Sequence, residues 1–212
     1  MLHHDLLCLA SGSPVRQRIL REMKIPFVAV GHTSDEQVDV PPHNFDRYVL
    51  HIAQDKMRCA KMPSVAQHNS PRLFVLAADS LVYVDAPQGR QVLGKPKDLD
   101  DARRMLRLMG AYPAVAMTAC ALALYQARDD EWHLASEALW TGSAVVEFVV
   151  PEEDFAVYHA HTPNALEVAS GCTLEGFGQR YIKSLQGDYT AALGLPARQL
   201  YMQLKSIGFV FP

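Results

Sequence analysis

The chain has 212 residues, is 49% hydrophobic, and carries 20 Lys and Arg against 23 Asp and Glu, a formal net charge of -3 with a pI near 6.3. That is enough apolar side chain for the core of one generous α/β domain or two intimate lobes. It excludes binding of long nucleic acid through the phosphate backbone, which needs a broad surplus of Lys and Arg, whereas a small anionic ligand needs only a local basic cluster.

The first ten residues hold an apolar run of only about six residues with no basic leader, so neither a signal peptide nor a membrane span is expected, and the setting is read as cytoplasmic. His3-His4 reads as a solvated start. Leu6 to Ala10 forms a short buried strand, and Ser11-Gly12-Ser13-Pro14 turns the chain into a helix with Val15, Ile19, Leu20 and Met23 at helical spacing. Pro14 suits the first helical position. Ile25 to Val30 predicts a second strand, followed by an acidic, proline-containing loop from His32 to Pro42. A longer helix starts near Asn44, with Phe45, Val49, Ile52, Ala53 and Ala60 on one face. Lys56 falls on that same face, where it is desolvated unless something anionic meets it.

Leu73 to Ala78 and Leu81 to Val84 read as a buried strand pair interrupted by Asp79, and Ala86 to Arg90 as a hairpin turn. Gly94-Lys95-Pro96 leads to Asp98, an N-cap for a helix with Ala102, Met105, Leu106 and Met109 inward. β-rich segments span Ala114 to Gln126 and Trp132 to Val150. Pro151 opens a helix to about His159, and Pro196 opens the last one, with Ala197, Leu200, Tyr201 and Leu204 inward. The order predicts a mixed α/β architecture in one unit without repeats. Cys8, Cys59, Cys120 and Cys172 are scattered, with no zinc-type spacing, and are expected as reduced, mostly buried thiols.

Four places carry chemistry. The turn with Ser11, Gly12, Ser13 and Arg16 sits at a helix N-terminus, where backbone N–H groups suit a phosphate, although the same pattern is also an ordinary helix cap. Asp79 stands between apolar runs, a position that requires a cation or hydrogen bonds to compensate it; a structural carboxylate capping nearby backbone is the alternative. Glu36, beside Asp35, is by itself a solvated charge, and Lys95 occupies a rigid corner that is by itself a surface turn. Taken together, two lysines, one arginine and an anion-receiving turn match a triphosphate, while separate carboxylates match a hard divalent cation.

These residues resemble the Maf family of nucleotide pyrophosphatases over nearly the whole chain. The family's A-S-x-S-P-x-R is similar to Ala10-Ser11-Gly12-Ser13-Pro14-Val15-Arg16, its acidic loop to Ser34-Asp35-Glu36, and its A-x-x-K helix to Ala53-Gln54-Asp55-Lys56. Ala78-Asp79-Ser80 and Gly94-Lys95-Pro96-Lys97-Asp98 follow in order. Glu175-Gly176-Phe177-Gly178, Gly187-Asp188-Tyr189 and Gly194-Leu195-Pro196 then complete it. Each motif is short, and their number and order carry the resemblance.

The resemblance implies an ITPase-like (Maf) α/β fold over residues 1–212, a long curved mixed β-sheet flanked by helices in two lobes around a central cleft, often as a homodimer. It makes Asp79 the acid/base residue acting on water, with Glu36 as a metal or water partner, so that Glu36 and Asp79 serve a divalent cation, Mg or Mn. Lys56, Lys95, Ser11, Ser13 and Arg16 hold the phosphates of a nucleoside triphosphate. Three positions steer base choice, here Val15, Ser80 and Glu175. The pyrimidine branch carries Arg, Thr and Gln there, and the 7-methylguanosine triphosphate branch resembles Trp, Gln and Glu. Ser80 is nearer the first and Glu175 the second, so the expected substrate is a non-standard nucleotide, 7-methyl-GTP first, with dTTP or UTP as the alternative. A carboxylate accepts two hydrogen bonds from guanine N1–H and N2–H, which favours the purine. A non-catalytic nucleotide-binding regulator of septum formation is the reading from another class. Two departures from the family pattern bear on loop geometry: Ala119 follows Thr118 where a glycine is usual, and Ser170-Gly171 stands in a reordered segment.

Overall fold

The computed structural model describes residues 4–34 and 44–212. In chain order the elements are β1 (Leu7–Leu9), α1 (Pro14–Glu22), β2 (Phe27–Ala29), α2 (Phe45–Arg58), β3 (Arg72–Ala86), β4 (Gly89–Val92) and α3 (Leu99–Ala111). They continue with β5 (Ala114–Arg128), β6 (Glu131–Phe148), α4 (Phe155–His161), β7 (Ile182–Gly187), α5 (Tyr189–Ala192) and α6 (Ala197–Ser206). The strands form one mixed seven-stranded sheet in the order β2-β1-β3-β5-β6-β7, with β4 paired to β3. This is the α/β class expected from the alternation of elements.

β1 runs parallel to both β2 and β3, with Leu7 opposite Phe27 on one side and Phe74 on the other. Parallel neighbours need a crossover, supplied here by α1 and α2. Because β1 is central, Leu7, Cys8 and Leu9 are all fully buried and apolar. β3 and β4 are an antiparallel hairpin closing with Ala86 opposite Gly89, and β6 pairs antiparallel with β7. One core cluster joins Leu7, Leu9, Phe74 and Leu76 of the sheet to Ile19 and Leu20 of α1 and to Leu200 and Leu204 of α6.

By compactness the chain divides into two units. The first contains residues 1–79, 118–142 and 193–212, and the second residues 80–117 and 143–192. Among the described residues no helix is long and apolar enough to cross a membrane.

Five local expectations are corrected. Asp79 does not interrupt a strand pair; β3 runs unbroken through it, because the ladder is made by backbone and the carboxylate finds a cation. β2 begins only at Phe27, since Lys24 adopts φ 57 and Ile25 donates its N–H to Leu20 O (3.0 Å), which closes α1 with a left-handed C-terminal cap. The helix after Pro151 starts at Phe155, behind a 3-10 turn at Glu152–Asp154. Tyr201 does not point inward: it is 43% exposed, at the edge of the Leu200–Leu204 stripe, with its ring tilted against Phe211. Of the four free cysteines, Cys8 and Cys120 are buried, but Cys59, at the end of α2, is exposed.

Candidate active site

The first unit brings six of the predicted residues, Ser11, Ser13, Val15, Arg16, Lys56 and Asp79, onto one parallel strand pair and the helices that follow it. Ala10 leaves β1 by donating its N–H to Leu76 O of β3 (2.8 Å), so the next turn departs beside the stretch of β3 that reaches Asp79. Ligands of parallel sheets gather at these carboxyl ends. Ser13 is the N-cap of α1, its Oγ accepting from Arg16 N at 3.5 Å, with Pro14 at the first helical position. Buried Ser11 accepts at Oγ from Ser13 N (3.3 Å) and from Arg16 Nη1 (3.0 Å), and Arg16 Nε donates to Gly194 O (2.9 Å). The turn is therefore a helix cap whose arginine is anchored back onto it.

Lys56 occupies the apolar stripe of α2 and is 7% exposed. Its Nζ donates to Asp79 Oδ1 at 2.8 Å, which is the anionic partner that its position demanded. Removing one member of such a pair leaves the other charge uncompensated in a poorly solvated place. α2 is held in register by Glu137 of β6, which accepts from Gln54 Nε2 (3.0 Å) and Arg58 Nη2 (3.3 Å), one helical turn apart on either side of Lys56. Glu137 carries no signal in the sequence, where it is one polar residue in an alternating strand.

Ser80, Lys95 and Glu175 belong to the second unit. At the Gly94-Lys95-Pro96 corner, Gly94 O accepts from Ser170 N (2.8 Å) and Pro96 is buried beneath exposed Lys95. Asp98 then caps α3, its Oδ1 accepting from Asp101 N at 2.8 Å. Ser170 and Gly171 are both left-handed, with φ 63 and 65, and a Cβ on Gly171 would stand 3.1 Å from Pro96 Cγ. The reordered segment thus has its glycine where backbone and packing require one. Behind it, Tyr158 of α4 is fully buried, edge-on to the rings of Phe148 and Tyr181. Its hydroxyl donates to Gly171 O (2.8 Å) and accepts from Thr173 N (2.9 Å). Burial above all, and then the neighbouring Cys172 thiol, push that hydroxyl up to about 12, so it remains a donor. Glu175 opens a 3-10 turn in which Gly178 packs so closely on Thr173 that a Cβ there would lie 1.8 Å from Thr173 O. Phe177 is stacked on His161 at 4.5 Å, and the Arg180 guanidinium lies 4.0 Å from the Phe177 ring centre.

Residues 6–207 match the family described as Maf-like protein. This chain belongs to that family. It is 32% identical over 200 residues to the dTTP/UTP pyrophosphatase of Escherichia coli (strain K12), spanning 94% of this chain and 92% of that one. To the dTTP/UTP pyrophosphatase of Nitratidesulfovibrio vulgaris it is 31% identical over 193 residues, 91% of this chain and 83% of the relative. To the nucleoside triphosphate pyrophosphatase of Shigella flexneri it is 32% identical over 200 residues, with 94% and 92% covered. The protein is a Maf-family nucleoside triphosphate pyrophosphatase, a hydrolase of phosphoanhydride bonds.

Within this Maf protein the predicted residues distribute clearly. Ser11, Ser13, Val15 and Arg16 share the α1 entrance, and Lys56 and Asp79 are joined directly. Ser80 follows Asp79 on β3 and, by strand alternation, faces the opposite way. Asp35 and Glu36 lie outside the described residues. Ala119 is fully buried in β5 next to fully buried Thr118. Among the described residues no group of three His, Cys, Asp or Glu could hold a metal. Asp79 alone offers one carboxylate, a donor of the type that Mg uses together with substrate phosphates and water.

Proposed function

We propose that this Maf-family enzyme cleaves the bond between the α- and β-phosphates of a modified or non-standard nucleoside triphosphate, 7-methyl-GTP first, giving the monophosphate and pyrophosphate. The observation that carries the chemistry is the Asp79 carboxylate fixed by Lys56 at 2.8 Å on the strand beside the Ser11–Ser13 turn. Asp79 orients a water molecule and accepts its proton as the water oxygen bonds to the α-phosphorus and the α–β bridging oxygen leaves with pyrophosphate. Lys56 and Arg16, with the hydroxyls and N–H groups of Ser11 and Ser13, meet the charge of the phosphate chain, and the Gly94-Lys95-Pro96 motif supports the same role for Lys95. Asp79, together with Glu36, would hold a divalent cation, Mg or Mn, which would supply further charge neutralisation.

Glu175 supports the 7-methylguanosine base: it accepts from N1–H and N2–H and is attracted to the positively charged methylated ring. Val15 neither stacks nor donates. The names of the relatives favour a second reading, dTTP or UTP as substrate, to which Ser80 is also closer. The reading puts the enzyme in the cytoplasm with its nucleotides.

The test is a nucleotide panel incubated with purified protein and Mg or Mn. Pyrophosphate and a monophosphate are the expected products, and release of orthophosphate would move the cleavage site. Preference for dTTP and UTP over 7-methyl-GTP would select the second reading. Tight nucleotide binding without turnover in either metal would instead indicate a regulator, such as one acting in septum formation.

A further inference from the structure

The phosphate-facing lysine and the base-facing carboxylate proposed above sit on separate, irregular stretches of chain in the second unit. Loops hold a side chain less firmly than helices or strands, so a site built on them needs supporting contacts that lock their backbone. In this protein those contacts converge on one phenol. The Tyr158 hydroxyl donates to Gly171 O and accepts from Thr173 N, at 2.8 and 2.9 Å, and so pins both ends of Gly171-Cys172-Thr173. From Gly171 the frame passes to the Lys95 corner, through Ser170 N bonded to Gly94 O and through the contact of Gly171 with Pro96. From Thr173 it passes to the Glu175 turn, because Gly178 sits directly on the Thr173 carbonyl and donates its own N–H to Glu175 O (3.3 Å). The ring itself is enclosed: it has no exposed surface, Phe148 and Tyr181 stand edge-on to it, and Thr162 Oγ1 donates to the Tyr158 backbone carbonyl at 2.6 Å.

We infer that Tyr158 is a positioning residue that ties the Lys95 corner and the Glu175 turn into one rigid frame, so that phosphate grip and base selection depend on a hydroxyl that touches neither. This rests on the roles proposed above for Lys95 and Glu175, but its mechanical part stands independently of them. Phenylalanine keeps the ring and removes both hydrogen bonds, leaving the Thr173 N–H without its partner.

The experiment uses the full chain with Tyr158→Phe, read first by amide hydrogen exchange. Thr173 and, through the frame, Ser170 are expected to exchange about tenfold faster, while Ala10 in the first unit keeps its protection. Unchanged protection at Ser170 overturns the inference. Kinetics supply the second readout. Tyr158→Phe raises KM for the triphosphate about tenfold with kcat nearly unchanged, and combined with Lys95→Ala it costs less than the sum of the two single changes, because the part transmitted through Lys95 is already lost. Additive losses in that cycle, or a fall confined to kcat, overturn it as well. Should Tyr158→Phe fail to fold, Gly171→Ala attacks the same frame from the Pro96 side and is expected to raise KM likewise; a wild-type KM there overturns the inference. If the wild-type protein releases no pyrophosphate, the proposed activity falls, and the exchange result still decides whether Tyr158 holds the frame.

Discussion

The two regions that carry charged candidates are held in place by different means. Around Asp79 and Lys56 the positions follow from regular structure: a lysine on the buried stripe of a 14-residue helix meets an aspartate on a long strand, and Glu137 fixes the helix on either side of the lysine. Around Lys95 and Glu175 there is no regular element. The side chains project from a corner and a 3-10 turn, located by backbone hydrogen bonds, two left-handed glycines, Gly171 and Gly176, and a buried tyrosine. The first arrangement suits bond-breaking, where an error of an ångström is costly, and the second suits recognition, which can be retuned by altering a loop.

That contrast can be broken first at Asp79. Asp79→Asn is expected to lower kcat by about a hundredfold to ten-thousandfold while circular dichroism shows the fold retained at lower stability, since the amide keeps the shape of the carboxylate and its oxygen still accepts from Lys56, although the lysine charge is no longer balanced. A nearly unchanged kcat would remove Asp79 from the chemistry. Next in size, Glu175→Gln should weaken kcat/KM for 7-methyl-GTP by about 1.5–3 kcal/mol, the worth of a hydrogen bond to a charged group, with UTP hardly affected. An unaltered substrate profile would mean that Glu175 does not read the base. Gly178→Ala forces a methyl into the Thr173 carbonyl and should lower stability in urea by about 1–3 kcal/mol, a cost of overpacking that no variant of exposed Gly12 at the other region would share.

The smallest effect concerns His159, the neighbour of Tyr158 on α4. Its Nε2 is buried with no hydrogen-bond partner among the described residues, and burial, then the nearby Arg103 charge, lower its pKa below the ordinary 6.5. The unfolded chain therefore takes up this proton at a higher pH than the folded one. Stability should be unaffected above pH 6.5, decline as pH falls below it, and level off once pH is under the lowered folded value. Urea midpoints measured from pH 8 to pH 5 should lose that component in His159→Gln.

Much of the first region was legible in the sequence because its determinants are local or periodic. Pro14 at the start of α1, Ser13 as its cap and Lys56 on an apolar stripe are patterns within a few residues. Lys95, Asp79 and Glu175 entered through short motifs in order. Tyr158 and Glu137 carried no such signal, since an aromatic in a short helix and an acid in a strand are ordinary until their partners are known. Tyr201 and Cys59 differ from expectation for a related reason: which side of a stripe is covered depends on a neighbour distant in sequence. The expectation for Glu36 falls outside the described residues.

Hydrophobic periodicity and turn chemistry, which act between residues close in the chain, by themselves determined the α/β order of elements, the capped turn after the first strand and the helix face bearing Lys56. Only the folded molecule decided that β3 runs unbroken through Asp79, that Lys56 ends on that carboxylate, and that one phenol links two loops. Those outcomes depend on through-space contacts between segments far apart in sequence, and no local pattern encodes which segment will arrive.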